Sequence, residues 1–200
     1  MRPTKAQAEA AQELLARRAA RTDLLAFASY TKPGYLTPPH LRLLAKTCED
    51  IAAGRTTRVV VTMPPRHGKS ELVAVRFPAW LMGTRSAIRI GVASYSADLA
   101  LAHSRSCREV FASEAYRAVF PNCHERPRMV GGFARVPGRI AAEEWQAGNG
   151  STFVAVGVGG SLTGRGLDLA IIDDPIKDRA QANSATYRQA LKDWYRSTLY

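Results

Sequence analysis

The sequence predicts an α/β fold, a mainly parallel sheet flanked by helices with a helical appendage at the N-terminus. Two observations predict it. Three short apolar or β-branched runs fall at residues 58–63 (RVVVTM), 87–94 (AIRIGVAS) and 169–173, residues 151–158 alternate like a strand, and amphipathic helix-length segments lie between and after them. Before residue 58 the periodicity is helical throughout, with no strand-like run.

Residues 5–21 are Ala/Arg-rich with few breakers and predict a helix. Asp23 is placed to cap a short apolar helix over residues 24–30, which Lys32-Pro33-Gly34 ends. Pro38 and Pro39 suit the first turn of a third helix. Leu41, Leu44, Cys48 and Ile51 follow at helical spacing, and Gly54 is a natural stop. The 58–63 run reads as the first buried parallel strand. A loop at 64–68 leads into a helix reaching about Leu81. The 87–94 strand is followed by a helix over 97–111, with Leu99, Ala102, Ser106 and Val110 expected on one side. A short helix is expected over 113–120, and a loop or hairpin region over 121–150, rich in Pro, Gly and Arg. After the last two strands, Ser184 caps a final helix carrying Tyr187, Leu191 and Trp194. Residues 1–34 are accordingly expected to be a helical segment and 35–200 the main domain.

Apolar residues make up 46% of the 200, enough for one sizeable core. No run of 18 uncharged apolar residues is present, so no membrane span is expected, and the N-terminus lacks the pattern of a secretory signal. Cys48, Cys107 and Cys123 are spaced for neither a zinc site nor a disulfide framework and read as buried thiols of a reducing compartment. The formal net charge is +11. Residues 1–138 carry all of the excess, with 21 Lys/Arg against 10 Asp/Glu. Such a surface favours nucleic acid as partner, although composition alone does not separate this from a generally basic surface.

The strongest motif is MPPRHGKS, residues 63–70. It matches the phosphate-binding loop G-x-x-x-x-G-K-[ST] at Gly68, Lys69 and Ser70, with Met63 in place of the first Gly. An apolar run before it and a helix after it turn backbone N–H groups and a helix N-terminus toward a phosphate. In this reading Arg66, His67, Gly68, Lys69 and Ser70 bind ATP. Lys69 neutralises the β- and γ-phosphates and Ser70 offers its hydroxyl to Mg²⁺. Pro64 and Pro65 remove two amide donors, so the cradle relies on amides from Arg66 onward. Arg66 either stabilises charge on the γ-phosphate as an arginine finger in cis or is an exposed loop arginine. The alternative for the whole motif is a strand–turn–helix without ligand.

The second motif is residues 169–175, LAIIDDP, an apolar strand ending in two carboxylates. Adjacent carboxylates repel, and a metal ion resolves the conflict. Asp173 is expected to hold Mg²⁺ beside Ser70, and Asp174 to orient or deprotonate the attacking water. Many motor ATPases have Glu where this chain has Asp174. The alternative is an Asp-Asp-Pro turn after a strand. Five glycines within 157–166 suggest a mobile loop near the site, with Arg165 available to nucleotide, DNA or a neighbouring subunit. The alternative is a plain connection.

Together these features resemble the ATPase half of phage terminase large subunits. The resemblance runs over roughly residues 30–200. It rests on Pro38-Pro39-His40-Leu41, MPPRHGKS, VASYS with His103-Ser104-Arg105, VGVGG at 156–160, Thr163-Gly164-Arg165-Gly166, IIDDP, and Asp193-Trp194-Tyr195 with Ser197-Thr198. It implies a P-loop NTPase fold of RecA/ASCE type and Mg²⁺-dependent ATP hydrolysis that translocates double-stranded DNA into a procapsid. His40 falls in the segment that resembles the family's adenine-recognition motif, where many relatives have Gln. Ser197 and Thr198 fall where a coupling motif would lie, or simply end a helix.

The implied partners are duplex DNA, the portal protein, the terminase small subunit and further copies in a ring, with a monomer away from the capsid left open. The implied location is the host cytoplasm. Members of the family continue into a nuclease domain of RNase H type. This chain ends at Tyr200, so it reads as a truncated piece without nuclease activity. Two other readings stay open, a helicase-like or repair DNA-dependent ATPase and an inactive prophage remnant that binds nucleotide.

Overall fold

A computed structural model describes residues 4–123, 129–130, 133–134, 143–162, 164 and 166–199. Helix α1, Lys5–Thr22, starts in a capping box. The Thr4 hydroxyl accepts from the Gln7 N–H, and the Gln7 side chain accepts from the Thr4 N–H. Asp23 then caps α2, Leu24–Thr31, its carboxylate accepting from the Ala26 N–H at 2.6 Å. Helix α3, Pro39–Ala52, begins with proline and buries Leu41, Leu44 and Cys48. Its stop is at Gly54, whose φ of 72° is costly for any side chain.

The helix after the 64–70 loop departs from expectation. Residues Glu71–Arg76 form a π-helix that runs directly into α4, Phe77–Thr84. A π-turn brings residues five apart into line. Arg76, almost fully buried, donates to the Glu71 carboxylate at 2.9 Å and to the Thr31 hydroxyl at 2.9 Å. That pairing ties the segment to the end of α2, and Lys32 reaches the same Glu71 at 3.1 Å.

The main sheet comprises β1 (Arg89–Ser94), β4 (Glu144–Gln146), β5 (Thr152–Gly157) and β6 (Leu169–Ile172), in the spatial order β4-β5-β1-β6. The pairs β1–β5 and β1–β6 are parallel, and β4 adds an antiparallel edge. Met129–Val130 (β2) and Phe133–Ala134 (β3) form a separate antiparallel pair within the region expected to hold a loop or hairpin. Helix α5, Ala97–Ala112, follows β1, and α6, Glu114–Val119, follows α5 after a Ser113 cap. After β6 come α7, Arg179–Asn183, which the sequence reading did not expect, and α8, Ala185–Leu199. The α8 start is capped by Ser184, whose hydroxyl accepts from the Tyr187 N–H at 3.2 Å.

The period-two alternation of strand side chains divides the core into two layers. Ile90, Val92, Phe153, Ala155 and Ile171 join the larger cluster with α1–α6. Ala93 and Val154 join Leu162 and Trp194 of α8 in a smaller one. Ala20, Leu24 and Phe27 of the first two helices belong to the larger cluster. Cys48, Cys107 and Cys123 are buried free thiols. No helix among the described residues is long and apolar enough to cross a membrane.

Two expectations are corrected. Residues 58–63 form no strand and have no ladder partner among the described residues. β-Branched residues favour extended backbone, but a strand exists only where a neighbour lies about 4.8 Å away. Here Val59 and Val61 face Leu169 and Ile171 of β6 across a cleft of about 140 Å³, and Val60 is 92% exposed. Second, the inward stripe of α5 is Ala100, His103, Ser104, Cys107, Val110 and Phe111, whereas Ala102 is exposed. Two polar residues occupy the centre of that stripe because their partners lie in the core. The Ser104 hydroxyl accepts from Trp145 Nε1 at 3.1 Å, and His103 meets Asp173.

Candidate functional site

Three segments converge at the end of the sheet: the 64–70 loop, the residues just after β6, and the middle of α5. The loop turns through two residues of positive φ, Arg66 at 62° and Gly68 at 84°. A Cβ on Gly68 would also come within 3.0 Å of the Leu41 side chain, so the position takes glycine for both conformation and space. Lys69 and Ser70 begin the helical run. Helix α3 braces the loop from the side. His40 Nε2 donates to the His67 carbonyl at 3.2 Å, the two rings pack edge to face, and His67 Nδ1 donates to the Pro65 carbonyl at 2.8 Å.

Asp173 follows β6 and continues its ladder, its N–H donating to the Ala93 carbonyl at 2.8 Å. It is 3% exposed. Strand parity turns Ile171 and Asp173 toward α5. The next residue, Asp174, has φ 47°, and its carbonyl accepts from the Tyr95 N–H at 3.0 Å, so the chain breaks from the strand there. Lys69 Nζ lies 3.1 Å from Asp173 Oδ1 and also donates to Asp174 Oδ1. An ammonium more than a hundred residues upstream is thus held between both carboxylates. The other oxygen of Asp173, Oδ2, lies 3.1 Å from His103 Nε2.

These contacts set the charges. Burial raises the Asp173 pKa, but contacts from His103, Ser70 and Lys69 outweigh it and hold the group at about 2, below the ordinary 3.8. Burial lowers the Lys69 pKa, and the two carboxylates more than reverse that and raise it. A carboxyl depressed in the fold stabilises it above the unfolded value and loses that contribution as pH falls through the folded one. The stability difference between wild type and Asp173→Asn is therefore expected to shrink by about 2 kcal/mol between pH 4 and pH 2. Urea unfolding of both proteins across that range measures it. A constant difference would mean that Asp173 titrates at its ordinary value.

The site therefore offers an anionic oxygen, a hydroxyl, an ammonium and a tight glycine turn at a helix start. Hard oxygen donors of this kind suit Mg²⁺, which takes one or two protein oxygens and fills its remaining positions with water and phosphate. No group of three or more His, Cys, Asp or Glu able to hold a metal occurs among the described residues.

Of the residues singled out from sequence, His40, His67, Gly68, Lys69, Ser70, Asp173 and Asp174 come together here. Arg66 sits exposed on the same loop. Ser197 and Thr198 lie on α8 instead, with the Ser197 hydroxyl turned back to the Trp194 carbonyl at 3.2 Å. Helix α8 docks on the glycine segment, where Trp194 Nε1 donates to the Gly160 carbonyl at 2.8 Å. Gly157 closes β5 against the start of α5, where a Cβ would fall 2.8 Å from the Ala97 nitrogen. Arg165 lies outside the described residues. Sequence reasoning assigned no role to His103. The signal that finds it is a titratable side chain at helical spacing with Ala100, Cys107 and Val110.

A family model described as terminase large subunit, T4likevirus-type, N-terminal, matches residues 60–200. Neither a curated protein nor a solved structure matches the chain.

Proposed function

The chain belongs to the family of terminase large subunits, T4likevirus-type, N-terminal, and from that premise we propose that it is the ATPase that drives double-stranded DNA into a procapsid. The observation that carries the reading is Lys69 held between Asp173 and Asp174 where the 64–70 loop meets the end of β6. On this reading the fold is a P-loop NTPase of RecA/ASCE type, with residues 1–34 an N-terminal helical segment and 35–200 the ATPase domain. Incoming phosphates draw Lys69 away from the carboxylates, because a triphosphate carries more charge than either. The amides around Gly68 face the phosphates at the helix start. Arg66, exposed on the loop, reaches the γ-phosphate from the solvent side and stabilises charge developing in transfer. Asp174, released from Lys69, accepts a proton from the attacking water. Ser70 and Asp173 hold Mg²⁺, which neutralises phosphate charge when bound. His40 fixes the loop through the His67 carbonyl and lies on the nucleobase side. Duplex DNA, a portal, a small subunit and a ring of further copies are the partners, and the host cytoplasm is the setting.

Phosphate release by the purified chain, with and without Mg²⁺, tests this. Mg²⁺-dependent release stimulated by duplex DNA is the expected result. Stimulation by single strands in place of duplex would support a helicase-like or repair ATPase. Nucleotide binding without release would support a binding remnant, the reading that Met63 for Gly and Asp174 for Glu favour. Absence of nucleotide binding would overturn all three.

A further inference from the structure

We propose that His103 is a positioning residue for Asp173, holding one carboxylate oxygen so that the other stays aimed at Lys69 and the helix start. The inference rests on the nucleotide and metal reading above. The carboxylate is approached from two sides, Oδ2 by His103 Nε2 and Oδ1 by Lys69 Nζ, each at 3.1 Å. Among the described residues, four buried side-chain polar atoms have no hydrogen-bond partner: Ser94 Oγ, His103 Nε2, Asp173 Oδ2 and Tyr35 Oη. Three of these belong to one place. Asp173 donates its N–H to Ala93, so the next step along both strands sets Ser94 beside it, and His103 lies 3.1 Å from it without hydrogen-bond alignment. Buried polar atoms left unpaired oppose folding, and such a concentration calls for a functional reason. The neighbouring Ser104 is satisfied by Trp145 Nε1, so α5 does not carry polar residues here without use. At 3.1 Å, Nε2 is within donor–acceptor reach of Oδ2. A carboxylate so held presents Oδ1 in one direction, and partners of metal-binding groups act in this way.

The test uses the full chain and isothermal titration with a non-hydrolysable ATP analogue, once with Mg²⁺ and once with EDTA. His103→Ala and His103→Leu, the second filling the space without a donor, are expected to weaken binding in Mg²⁺ by about 10-fold and leave binding in EDTA unchanged. His103→Gln, which keeps an N–H near the Nε2 position, is expected to recover to within about threefold of wild type. Circular dichroism identifies any variant that fails to fold, and the folded ones decide the result. Unchanged affinity in Mg²⁺, equal weakening with and without Mg²⁺, or no recovery by glutamine would each overturn the proposal. If wild type binds the analogue no better with Mg²⁺ than with EDTA, the metal reading of Asp173 itself fails and the role of His103 falls with it.

Discussion

Lys69→Ala is expected to lower Mg²⁺-dependent phosphate release by about 10²–10³-fold, the cost of removing one preorganised group that meets developing charge. Its ammonium is the group that touches both carboxylates at the end of β6, and it stands at the first helical residue after the Gly68 turn. Arginine is not a substitute, because its planar fork is longer and wider than a point ammonium. The fold should survive. Asp173 keeps its approach from His103 and its contact with Ser70, and Lys69 is itself one-fifth exposed. Steady-state phosphate release, with the thermal midpoint as control, separates the outcomes. A variant that folds and hydrolyses ATP at the wild-type rate would remove Lys69 from the chemistry.

The second large effect is on stability. Phe153→Ala is expected to cost about 3–5 kcal/mol, the range for a fully buried aromatic cut back to alanine. Phe153 has no exposed surface and sits in β5 opposite Ile90. It stacks on Trp145 with centroids 5.4 Å apart and planes 13° from parallel, and Trp145 in turn meets Phe111 edge to face. A void there borders β4, β1 and α5 together, so no single side chain can collapse into it. The melting temperature should fall by roughly 10 °C for a chain of this size. Val60→Ala is the contrast. Val60 is 92% exposed, and the change should stay within about 0.5 kcal/mol. Equal melting temperatures for Phe153→Ala and wild type would show that β5 is not packed as described.

The helices were legible from sequence wherever their signals are local. Asp23 and Ser184 each cap the helix that follows them, because a cap needs only a side-chain oxygen and an amide two or three residues on. The β1 run was legible as a buried strand, since a continuous apolar run marks burial on both faces, and β5 was legible from its alternation. The 169–173 run does form β6, but at the edge of the sheet, where Ile171 is its one buried residue and Ala170 is exposed. The same logic misplaced residues 58–63. Their β-branched composition reports a preference for extended backbone, and whether a strand forms depends on a neighbour elsewhere in the chain. The α5 stripe was misread because apolar spacing was followed, whereas His103 and Ser104 are turned inward by Asp173 and Trp145. The π-helix after Ser70 carries no local sign, since its Glu71–Arg76 pair is held by Thr31 from another helix.

Sequence by itself determined the parts of the candidate site. It supplied a glycine turn with Lys69 and Ser70 at a helix start, and a strand ending in Asp173 and Asp174, because each motif lies within a few bonded residues. Tertiary structure alone decided that these parts meet and that His103 stands behind them. Residues 69 and 174 are 105 positions apart, and nothing between neighbours in the chain encodes their distance. That distance is set by the parallel register of β6 on β1 and by the helices packed on one face of the sheet, interactions that exist only once the whole core is buried.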